Sequence, residues 1–79
     1  MRAKTYLVEF TTIENENAVL TRLDNTIVEA DNKENACQEV LKKVASDFKY
    51  RNGILVKFIT EKSIFQKFPI EKFERKIQL

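Results

Sequence analysis

The stretch TIVEADNKENACQEVLKKVASDFKYRNGILVKFIT, Thr26 to Thr60, decides the fold. It reads as a strand, a capped amphipathic helix, a glycine-terminated corner and a second strand. Ala36, Cys37, Val40, Leu41, Val44, Ala45 and Phe48 recur at helical spacing and form one continuous apolar face. Asp31 is placed to cap the helix, and Glu34 follows three residues on, a capping-box spacing. Both carboxylates suit the positive end of the helix dipole, and Lys49 and Arg51 suit the negative end. Glu39 and Lys43 are spaced as an i, i+4 pair on the wet face. Gly53, the single glycine, is expected to supply the left-handed residue that ends the helix. Ile54, Val56 and Phe58 then alternate, so the next strand returns against the helix.

Outward from this unit the pattern is that of strands. Between Lys4 and Ile13, Tyr6, Val8 and Phe10 share one face and Leu7, Glu9 and Thr11 the other, the period of a half-buried strand. Glu14 to Asn17 is polar and predicts a hairpin loop. Ala18 to Ala30 is strand-like but out of phase. Leu20, Val28 and Ala30 have one parity, and Val19, Leu23 and Ile27 the other, which predicts a bulge or second turn near Asp24 and Asn25. From Ser63 to Leu79 the spacing of Ile70, Phe73 and Ile77 fits a helix. The alternation of Phe73, Arg75, Ile77 and Leu79 fits a strand. A strand is favoured because a small sheet gains from a fourth member and Pro69 is tolerated at a strand's start. The expectation is a single α+β domain over residues 1–79, order β-β-α-β-β, with one helix on a mostly antiparallel sheet. Cys37, Val40, Leu41, Val44 and Phe48 would meet Tyr6, Val8, Phe10, Val28, Ile54, Val56 and Phe58 in its core.

Composition narrows the chemistry. Seventy-nine residues, 43% hydrophobic and 33% charged, suit one ordinary globular domain. No apolar run is long enough to span a membrane, and Glu9 interrupts the only stretch resembling a signal-peptide core. A lone Cys37 excludes an internal disulfide and suits a reducing compartment such as the cytoplasm. With no His, one Cys and one Gly, the chain lacks His-based acid–base pairs, Cys/His zinc sites and glycine-rich phosphate loops. Glu14 with Glu16, and Asp24 with Glu29, are the remaining carboxylate pairs, and their spacing matches no calcium loop. No catalytic, cofactor or metal site is therefore expected, and no small-molecule substrate is implied.

Two binding readings remain. Residues 1–40 carry four basic and eight acidic side chains, whereas residues 41–79 carry ten basic and four acidic. Tyr50, Phe65, Phe68 and Phe73 interleave with the basic half, a pairing that grips single-stranded nucleic acid. Lys42, Lys43, Lys49, Arg51 and Lys57 are the candidate contacts. No RNP-like aromatic run or GXXG loop accompanies them. The favoured reading is a protein-binding module, with Ile64, Phe65, Phe68, Ile70 and Phe73 as a candidate interface or homodimer seam. Exposed strand edges offer a second route. The composition, rich in Lys, Glu and Asn, resembles that of short phage and mobile-element proteins. It implies an accessory or regulatory role and brings no functional residues with it.

Overall fold

A computed structural model describes residues 3–15, 22–62 and 71–78. These residues form an α+β fold with one α-helix and a four-stranded antiparallel sheet among them. In chain order the elements are β1 (Lys4–Thr12), β2 (Asp24–Ala30), α1 (Lys33–Val44), β3 (Gly53–Lys62) and β4 (Glu71–Gln78). Across the sheet the order is β2-β1-β3-β4, so α1 carries the chain over β1 and β2 and β4 are the edges. The register runs Tyr6 against Val28, Tyr6 against Glu61 and Ile54 against Ile77.

One face of the sheet takes the helix. Tyr6, Val8, Phe10, Val28, Ala30, Ile54, Val56 and Ile59 pack against Ala36, Cys37, Val40 and Leu41 of α1. Val40 is fully buried, a burial that contributes about 1.5–3 kcal/mol on its own. Val44, Phe73 and Ile77 pack partly buried around the rim. Arg75 Nε donates to Glu34 Oε1 at 3.2 Å and ties β4 to the start of α1.

Local competition shifts several expected features. Asn32, not Asp31, caps the helix: its backbone is extended, and its side chain accepts from the Asn35 N–H at 2.8 Å. The helix stops at Val44, with right-handed Ala45 as C-cap, well before Gly53. Asp47 ends it, because its carboxylate accepts from the Lys49 N–H and nucleates a short 3-10 turn, Phe48–Tyr50. That turn swings Phe48 out to 73% exposure and tucks Tyr50 into the core against Phe10, ring centroids 5.4 Å apart. Gly53 instead opens β3 at φ +121°, where a Cβ would collide with the Ile77 carbonyl oxygen of β4.

In β3 the register shifts between Val56 and Phe58, opposite a shift between Glu9 and Phe10 in β1. This bulge changes the parity, so Ile59 enters the core in place of Phe58, which is half-buried on the helix-free face. The parity conflict expected near Asp24 has no such bulge; β2 begins there and runs in register to Ala30. Ile13 and Glu14 lie in a turn closed by Asn15 N–H donating to the Thr12 carbonyl at 3.1 Å. Asn17 to Leu20 lie outside the described residues.

Candidate functional site

As an edge strand, β2 has a ladder neighbour on one side only among the described residues. Half of its backbone N–H and C=O groups therefore have no partner in the sheet. The second half of α1 lies beside this edge, and two open depressions lie there. One, of about 660 Å³, is lined by Ile27, Val28 and Glu29 of β2 and by Glu39, Lys42 and Lys43 of α1. The other, of about 600 Å³, is bounded by Asp24, Asn25 and Thr26, by Lys43 and Val44, and by Lys49 and Tyr50. Both include Lys43, whose side chain reaches from α1 to the Ile27 carbonyl between them, so the groove along β2 consists of two depressions on either side of that contact.

The charges in the groove are not equivalent. Lys42 pairs with Glu39 at 3.1 Å, and Lys49 with Asp24 at 2.9 Å. Tyr50 also donates its hydroxyl to Asp24, and the Lys49 ammonium lies 5.4 Å from the Tyr50 ring centroid. Lys43 is held by neutral oxygens: its Nζ donates to the Ile27 carbonyl at 2.8 Å and to Thr26 Oγ1 at 3.4 Å. Ile27 itself is 51% exposed and points away from the helix, on the side of β2 opposite Val28.

The expected contact residues separate in space. Lys42, Lys43 and Lys49 line the groove. Arg51 caps the C-terminus of the 3-10 turn, where its guanidinium donates to the Phe48 carbonyl at 3.2 Å and lies 4.5 Å from the Phe48 ring centroid. Lys57 sits at the β3 bulge, 17% exposed and 3.6 Å from Glu74, away from the helix. Tyr50 is buried and does not extend an aromatic surface. Ile64, Phe65, Phe68 and Ile70 lie outside the described residues. Phe73 packs half-buried against the core beneath Lys33 and Arg75, whose charges lie 5.8 and 4.2 Å from its ring. Neither the exposure of Ile27 nor that of Phe48 follows from hydrophobic spacing alone. The off-phase parity of Ile27 was the available signal for the first, and Asp47 for the second.

The titratable groups have structural explanations. Burial pushes the Cys37 thiol up to about 11, with Glu34 adding to the effect, so the reactive thiolate is suppressed at neutral pH. Burial likewise raises Tyr6, with Glu61 contributing. Glu14 is lowered by the side-chain hydrogen bond from Asn52, and Glu74 by Lys72 and then Lys57. Glu16 lies outside the described residues, and Asp24 and Glu29 point to opposite faces of β2. Among the described residues no cluster of three Cys, Asp or Glu side chains could hold a metal ion, and no helix is long and apolar enough to cross a membrane.

The helix-free face carries Leu7, Leu55 and Phe58 between Thr11 and Thr60. Leu55 is only 4% exposed, and the buried Thr60 hydroxyl has no hydrogen-bond partner among the described residues. No protein-family model matches the chain, and neither does any curated protein or solved structure.

Proposed function

We propose that this chain is a small non-enzymatic module that binds a protein partner, with the groove between α1 and β2 as its contact surface. The observation that supports the reading is a strand edge with no ladder partner on its outer side among the described residues, beside exposed Ile27 and flanked by the second half of α1. Such an edge offers backbone hydrogen bonds for affinity and alternating side-chain positions for specificity. The lone, buried Cys37 suits work in a reducing compartment such as the cytoplasm. An accessory or regulatory role, of the kind the composition suggests, fits a module of this size.

Nucleic-acid binding is the alternative. It draws less support, because Lys42 and Lys49 are already neutralised by Glu39 and Asp24 and Lys57 lies at a distance on another face. A photo-crosslinking residue placed at position 27 of the full chain in its host cell tests the reading, with exposed Gln38 as control position. A discrete protein adduct at position 27 and none at position 38 is expected. Adducts with nucleic acid, or no preference between the two positions, would overturn it.

A further inference from the structure

The geometry points to one kind of occupant, on the footing that the chain binds a protein: an extended segment of the partner, added to the sheet alongside β2, with a carboxylate that pairs with Lys43. Three observations converge. β2 is a regular seven-residue strand with no bulge in its register and, among the described residues, no neighbour on one side, so it can accept another strand. Lys42 and Lys49 already have carboxylate partners, whereas among the described residues Lys43 donates to a backbone carbonyl and a threonine hydroxyl and to no carboxylate. An incoming carboxylate would exchange two neutral contacts for a charge-assisted one. Ile27 stands exposed on the other side of the strand.

The pleat then sets the motif. Successive side chains of an added strand alternate between the helix side, where Lys43 waits, and the helix-free side, where Ile27 does. The segment recognised should therefore place an Asp or Glu directly beside a β-branched or other apolar residue. A second copy of this chain is a poorer occupant. Two-fold pairing of β2 with itself about Ile27 would bring both Lys43 ammonium groups to the same axis, and like charges set close together repel.

The test is a display library of random peptides of strand length, selected on the full chain and followed by anisotropy titrations of the enriched peptides. Enriched sequences are expected to share an acidic residue next to Val, Ile or Thr. Lys43→Met should weaken binding about fivefold, the size of a partly exposed charge pair, and Lys72→Met, on exposed β4 away from the groove, should leave it unchanged. Lys43→Glu should redirect selection to Lys or Arg at the same position, a gain that a misfolded variant cannot show. Enrichment without a carboxylate, unaltered binding by Lys43→Met, or no enrichment at all would overturn the assignment. Displacement of the peptide by oligothymidylate at low salt would do so in favour of nucleic acid. A protein adduct at position 27 alongside any of these results would leave the protein-binding reading standing and remove only the strand-addition one.

Discussion

Gly53 is where a single atom has the greatest leverage. Its φ of +121° is left-handed, and the Ile77 carbonyl oxygen occupies the space a Cβ would need. Gly53→Ala should cost about 2 kcal/mol or more, measured by denaturant unfolding, because strain and a backbone clash add. Asp24 is a second such point, since it takes hydrogen bonds from both Tyr50 and Lys49 at the end of the groove. Tyr50→Phe keeps the packing against Phe10 and removes one donor, so a loss of about 1–2 kcal/mol is expected. No change in stability would show that the hydroxyl is equally well satisfied by water. Cys37, fully buried and with its pKa pushed up to about 11, should resist alkylation in the native chain and react at once on unfolding.

Elements were legible where one periodicity held without competition. β1, the buried face of α1 and the alternation at the start of β3 all follow from spacing, and their residues lie in the core. The failures share a cause, a polar or bulged residue that changes phase. Asp47 offered its carboxylate to a backbone N–H and ended the helix early, which exchanged Phe48 for Tyr50 in the core. The bulge at Lys57 exchanged Phe58 for Ile59. Neither event leaves a mark in hydrophobic pattern, because an aromatic or apolar residue stands at both the expected and the actual position. Ile59→Ala should therefore destabilise by about 2–5 kcal/mol, and Phe58→Ala by clearly less despite its larger side chain. The reverse order in thermal melts would remove the bulge. The candidate groove was legible only in part. Lys42, Lys43 and Lys49 stand out by charge, but their placement beside the β2 edge depends on β1 pairing with both β2 and β3, a long-range choice that local spacing does not encode.

At the scale of the molecule, one helix covers one face of the sheet, and the two outermost strands have no outer partner among the described residues. Stability should respond to pH chiefly at the alkaline end. Cys37 holds its proton more tightly folded than unfolded, so its contribution is complete below pH 9.0 and is lost as pH rises through about 11, and Tyr6, raised from 10.0 by burial, acts in the same sense. Cys37→Ala should flatten the first part of that loss in melts taken across the range. Glu14 and Glu74 act in the opposite sense, adding stability above their ordinary value of 4.5 that disappears as pH falls, but both are fully solvated and the effect is small. The central claim concerns which open edge is used. Hydrogen–deuterium exchange on the full chain, free and bound to the partner captured at position 27, tests it most directly. The account predicts that amides of Asp24–Ala30 gain protection on binding while those of Glu71–Gln78 exchange as before. Protection gained along β4, with β2 unchanged, would contradict it.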